Sequence, residues 1–216
     1  MAIGFNNIPN TIRVPWAYIE FDSSRAQQGP SIQQFTTLVM GQKLSSGSQD
    51  ELEMVTVTSE AQARALFGAG SQLHMMLRRY FINDLVTPVK VIAIDDSSTG
   101  NAATGSVLFG GTSVKTGTVV LYIGGIRITA AVTEGDTNEE IAAAVNTAIN
   151  AKSECPVSSA VNGVTPEQLD FTAKNKGEES NDIDIRFNYA DGEVLPENMT
   201  ATITAMSGGS GNPDVS

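Results

Sequence analysis

Among 216 residues there is one cysteine and one histidine. A lone Cys155 cannot close an internal disulfide, so the fold is held without a cystine framework and suits a reducing compartment. A lone His74 rules out a histidine metal cluster, and a Ser/His/Asp triad would have to use that one residue. Thirteen Lys and Arg stand against 24 Asp and Glu, a net charge of -11. That balance argues against nucleic acid or anionic lipid as a partner, since both are bound by basic surfaces that neutralise phosphate. No window approaches the roughly 20 apolar residues that a membrane helix needs, so no membrane insertion is expected. The first residues lack the basic flank and apolar core of a signal peptide, and a soluble chain made in a cytoplasm is expected. Phosphate-loop lysine motifs are missing too. Gly68-x-Gly70 has Leu73 in the place of the third glycine of a dinucleotide fingerprint and lies between two helical patterns, so it predicts no nucleotide site. No cofactor is expected.

What is present is a scaffold from Thr58 to Asp96. Ser59 with Gln62 forms a capping-box start, and Ala61, Ala65 and Leu66 follow at helical spacing. Gly68 is placed to end that helix in a left-handed conformation, and Ser71 can cap a second one. There Leu73, Met76, Leu77, Tyr80 and Phe81 make one apolar stripe, with Arg78 and Arg79 on the solvated side and His74 beside the stripe in a packed or surface role. Val89 to Ile94 is almost unbroken in apolar and β-branched residues, which predicts a strand covered on both sides. Thr36 to Gly41 is a shorter run of the same kind. Strand, helices, strand predicts a crossover between parallel neighbours.

Before the scaffold, Ile12, Val14, Trp16 and Tyr18 alternate with Arg13, Pro15 and Ala17, a strand pattern with one apolar face. No turn signal supplies a hairpin partner, so this strand pairs with something distant, as an edge strand of its own subunit or in another chain. Met54 to Val57 is a brief strand or the lead-in to Ser59. Ser97 to Gly117 reads as a connection with at most one strand, near Val107 to Phe109, and as a domain boundary. Beyond it, Thr118–Ile123 and Ile126–Val132 flank Gly124-Gly125, a two-residue hairpin signal. Thr137 with Glu140 caps a helix carrying Ile141, Val145 and Ile149 that ends near Lys152. Leu169 to Ala173 alternates, turns at Asn175-Lys176-Gly177 and is answered by Ile183 to Phe187. A last strand runs from Thr200 to Ala205, and Ser207 to Pro213 is a linker by composition.

Candidate chemistry is sparse. Asp95 and Asp96 close the central strand, where clefts of α/β proteins open, and a plain turn would use aspartate equally well. Glu178, Glu179, Asp182 and Asp184 form an acidic patch without the spacing of a calcium loop. Two functional readings stand on these residues alone. One is a small α/β enzyme or ligand-binding protein using the Asp95/Asp96 cleft. The other is a surface-binding module built on Gly117 to Met206.

Three stretches together resemble the contractile tail sheath proteins of Mu-like bacteriophages. They are Ile12 to Glu20 with Ser24-Arg25-Ala26, Leu38 to Gln42, and Ala65 to Met76 running on to Ile92-Ala93-Ile94-Asp95-Asp96. The family more usually has glycine where Trp16 stands, and its members are about twice this long. The resemblance implies a mixed α+β and α/β chain, the N-terminal part of such a protein. Residues 1–22 would be an extended arm and 23–105 part of the main sheath domain, strands with a helical crossover. Residues 106–206 would be a small outward-facing insertion with a β-hairpin and one helix, and 207–216 a glycine-rich linker to a missing C-terminal half. It implies a non-enzymatic virion subunit, assembled in the host cytoplasm and polymerised helically with other sheath subunits. Contact with tail tube and baseplate would lie in the missing half. Ile12, Val14, Trp16 and Tyr18 would be the strand-exchange arm between subunits.

Overall fold

The computed structural model describes residues 35–112 and 114–213, with positions 8, 11, 13, 15, 17 and 19 singly before them. The chain divides into two compact units, Met1–Phe35 and Thr36–Ser216. The arm residues Ile12, Val14, Trp16 and Tyr18 lie outside the described residues. The second unit contains three helices and ten strands in three sheets among its described residues.

The first sheet has the order β1-β3-β2, with β1 Thr37–Gln42 parallel and β2 Met54–Val57 antiparallel to β3 Val89–Ile94. Two helices connect β2 to β3. In α1 (Glu60–Phe67), Ser59 Oγ accepts the Gln62 amide at 3.3 Å. The Gln62 side chain reaches back one residue further than a capping box requires, to the amide of Thr58 at 3.0 Å. The buried face of α1 is Ala63 and Phe67, with Leu66 half-buried; Ala61 and Ala65 are exposed, one step round the helix from the expected stripe. Gly68 ends it with φ +86°, where a Cβ would lie 2.7 Å from Ser46 Oγ. In α2 (Gln72–Asn83), Ser71 Oγ accepts the His74 amide at 3.0 Å. Leu73, His74 and Leu77 are buried, Tyr80 and Phe81 half-buried, and Met76 exposed, so the stripe is narrower than its spacing predicts.

Both helices pack on one face of the sheet, closing a core of Val57, Ala63, Phe67, Leu73, Leu77, Val89, Val91 and Ala93. The other face is open. Register sets Leu38 beside Lys90 and Met40 beside Ile92, with Met54 on the far side of Ile92. Leu38, Met40 and Met54 are 53%, 48% and 57% exposed. The expectation of a strand covered on both sides is therefore corrected: β3 alternates, because helices cover only one side of it.

The second core is larger. A four-stranded antiparallel sheet has the order β10-β4-β8-β7: β4 Thr104–Gly111, β7 Val157–Val161, β8 Gln168–Ala173 and β10 Met199–Ser207. A three-stranded sheet has the order β6-β5-β9: β5 Gly117–Ile123, β6 Ile126–Val132 and β9 Ile185–Phe187. Gly124 and Gly125 (φ +55° and +77°) supply the two positive φ angles of the tight β5–β6 turn. Helix α3 (Asn138–Asn150) carries the full Thr137/Glu140 capping box and buries Ile141, Ala142, Val145 and Ile149 against both sheets.

The one strand expected near Val107 to Phe109 is β4, longer than expected and an inner strand of the four-stranded sheet. Two other readings change here. The turn at 175–177 does not close a hairpin. β8 is already flanked by β4 and β7, so the chain makes a 3-10 helix, Glu178–Asp182, and delivers β9 to β5. The glycine-rich end is tied down through Asn212: Ser207 belongs to β10, Ser210 bridges Asn101, and Asn212 Oδ1 accepts the Glu178 amide at 3.0 Å.

Candidate functional site

The two cores meet at the carboxyl end of β3, where the sequence places Asp95 and Asp96. Asp95 Oδ1 pairs at 2.6 Å with Nζ of the nearly buried Lys43. Asp96 uses both oxygens: Oδ1 accepts from Asn175 Nδ2 at 2.9 Å and Oδ2 from the Lys176 amide at 3.0 Å. Asn175 is the hub of the joint. Its Nδ2 also donates to Lys43 O (3.1 Å), and its Oδ1 accepts the amide of Gln72 in the first turn of α2 (2.9 Å). Gln42 donates through Nε2 to Lys176 O at 2.9 Å, while its own amide donates to Gln72 Oε1 at 2.8 Å. Of the pair read as a catalytic candidate, Asp96 thus clamps the 175–176 turn of the second core to the first, and Asp95 pairs within the first. Two of the roughly four acceptor positions of the Asp96 carboxylate are taken by a side-chain N–H and a backbone amide.

His74 is fully buried. Its Nδ1 accepts the Gly70 amide at 3.1 Å, which places the ring proton on Nε2. That Nε2 is 3.7 Å from Glu60 Oε1 and makes no hydrogen bond. Burial pushes the imidazole below its ordinary range; Arg64 and Arg78 add to this, and Glu60 opposes it. A neutral histidine at the start of a helix, with one nitrogen spent on the backbone, is a packing group. Cys155 is likewise buried, and burial pushes its thiol up, away from a reactive thiolate. Lys174 donates to Ala69 O (3.2 Å) and Ser153 O (2.8 Å), a second fastener between the cores, with its ammonium pushed down by burial.

Two members of the acidic patch have side-chain partners. Asp184 pairs with Arg186, and Glu179 is hydrogen-bonded to Gln72. Among the described residues no three His, Cys, Asp or Glu side chains are grouped to hold a metal ion. Two adjoining cavities, of about 330 and about 390 Å³, share Gln42, Gln72, Met76 and Glu179 and run beside the outer edge of β1. No sequence signal pointed to them, because they arise where the end of one module passes the edge strand of the other.

Fold and joint together define a mixed α+β protein in which the strand-end carboxylate of Asp96 ties its two cores together. No family model matches the chain. A curated relative does: the Mu-like prophage FluMu tail sheath protein of Haemophilus influenzae is 42% identical over 216 residues, all of this chain and 44% of the relative. The chain is similar to this protein along its whole length, and it spans less than half the length of this relative.

Proposed function

We propose that the chain is the structural part of a contractile tail sheath subunit, a protein that polymerises helically around a tail tube and contracts to drive it through the host envelope. The observation that carries this is the 42% identity over all 216 residues to a protein named as a tail sheath protein. On this reading residues 23–105, with the first core, belong to the main sheath domain, and residues 106–206, with all of the second core but Ala103 and the first two residues of β4, form an outward-facing insertion. The subunit does no chemistry, acts in the virion, and is assembled in the host cytoplasm. Its partners are other sheath subunits, with tube and baseplate reached through further parts of the full-length protein. Ile12, Val14, Trp16 and Tyr18 form an arm that adds a strand to a neighbouring subunit. Heterologous contacts of that kind do not close on themselves, and a helical polymer requires this.

The test is removal of the gene from the phage and electron microscopy of the particles. Tubes and baseplates without a sheath are expected, with sheaths restored by the gene in trans. Sheathed, contractile tails in the deletion would overturn the reading.

A further inference from the structure

We propose that His74 is an acid-operated release for the joint between the two cores: protonating its ring removes the acceptor that holds residues 69–72 in place against the second core.

This segment links α1 to α2 and is fastened on both sides. Gly68 and Gly70 turn it with φ of +86° and +84°, angles that glycine adopts without steric cost. On its outer side it meets the second core at three points. Ala69 O accepts from Lys174 Nζ at 3.2 Å, and the Gln72 amide donates to Asn175 Oδ1 at 2.9 Å. The backbone of Gly70 passes so near Cys155 that an added Cβ would stand 2.4 Å from the Cys155 carbonyl oxygen. On its inner side the buried Gly70 amide donates to His74 Nδ1 at 3.1 Å, its one acceptor among the described residues. Asn175 also donates to Asp96, so displacing Gln72 frees one side of the hub that clamps the cores.

A second proton on the imidazole has one place to go. Nδ1 accepts the amide and is therefore the unprotonated nitrogen, and protonation turns it into a donor. Two N–H groups then face each other across 3.1 Å. Turning the ring over brings a carbon to the amide instead, so the Gly70 N–H loses its acceptor either way. A buried N–H without an acceptor and a buried imidazolium are both relieved when the segment yields and admits water. Nε2 offers no alternative: it makes no hydrogen bond and lies 3.7 Å from Glu60 Oε1.

The surrounding charges do not compensate. Glu60 and Arg64 of α1, Arg78 of α2 and Glu154 from the second core all act on the ring, and Lys174 stands beside Gly70. Glu60 is shared with Arg78 at 3.5 Å. Burial is the largest influence, and with the two arginines it keeps the ring neutral against the two glutamates. The acceptor is thus present at neutral pH and is lost as pH falls below the ordinary histidine range.

The test is amide hydrogen exchange on the intact chain as a function of pH, corrected for intrinsic exchange, with the one imidazole titrated by NMR in parallel. Exchange at Gly70, Gln72 and Lys176 is expected to accelerate about tenfold or more across the imidazole titration and with its midpoint, while amides of α3 stay protected. His74→Asn, whose Oδ1 can accept in place of Nδ1 and carries no titrating proton, should keep the joint protected throughout. The proposal is overturned by joint amides that stay protected while the imidazole titrates, or by α3 amides that lose protection together with them. A His74→Asn chain that opens in acid as the parent does overturns it as well. If that variant does not fold, agreement or disagreement of the two midpoints in the parent decides alone.

Discussion

Replacing Asp96 with alanine tests whether the strand-end carboxylate is a fastener. The substitution deletes the acceptors for Asn175 Nδ2 and for the Lys176 amide. Hydrogen bonds to an ionised group are worth about 1.5–3 kcal/mol each, and because Asp96 is only half-buried the lower end applies. The pair therefore contributes about 3 kcal/mol. For a chain of this size that lowers the melting temperature by about 6–12 °C. Asn175→Ala should cost at least as much, since it also abandons the Gln72 amide and Lys43 O. The double variant should fall short of the sum of the two, because both substitutions remove the shared bond. Thermal melting followed by circular dichroism, with urea midpoints as a check, reads all three quantities. A melting temperature within about 2 °C of the parent, or strictly additive losses, would refute the assigned role. A rise on removing Asp96 would point instead to a carboxylate held at a cost to the fold for binding or catalysis, as strained functional sites are.

His74 is the chain's only histidine, so its protonation can be followed without interference from another imidazole. Its folded-state pKa is lowered, so the unfolded chain binds the proton first. Stability is fully present above about pH 6.5 and falls as pH drops below that value. Urea midpoints at pH 7.5 and 5.5 should differ in the parent and converge in His74→Gln; an unchanged slope in the variant would refute the assignment. Gly70→Ala should yield almost no folded protein, because φ is +84° and a Cβ would stand 2.4 Å from Cys155 O, between the two cores. Soluble expression with a normal melting curve would contradict that packing. Phe171→Ala empties a fully buried site in the second core and should cost about 3–5 kcal/mol in urea unfolding.

What the sequence made legible was local, and what it hid was the choice of partner. Capping at Ser71, the full box at Thr137 and Glu140, and the Gly124-Gly125 turn each depend on residues within four positions of one another, and all three stand in the fold. β7 was missed because Val157-Ser158-Ser159-Ala160-Val161 has no apolar face to read. It is a strand because β8 pairs with it and because Asn150 of α3 bonds both the amide and the carbonyl of Ser159 on its free edge. Asn175-Lys176-Gly177 has the composition of a hairpin turn, and nothing near it in the chain reveals that β8 has both edges occupied. Its polar groups meet Asp96, Gln42 and Gln72, from 79 to 134 residues away, so the joint that decides the route of the chain is invisible to any local pattern. Asp95 and Asp96 illustrate the same limit. Two aspartates after a buried strand look alike whether they face a cleft or a neighbouring turn, and only the partner they meet tells a reactive carboxylate from a structural one. In this chain the partners are a lysine, an asparagine side chain and a backbone amide. Asp96 is spent on holding the two cores together, while Asp95 is held by Lys43 on its own side of the joint.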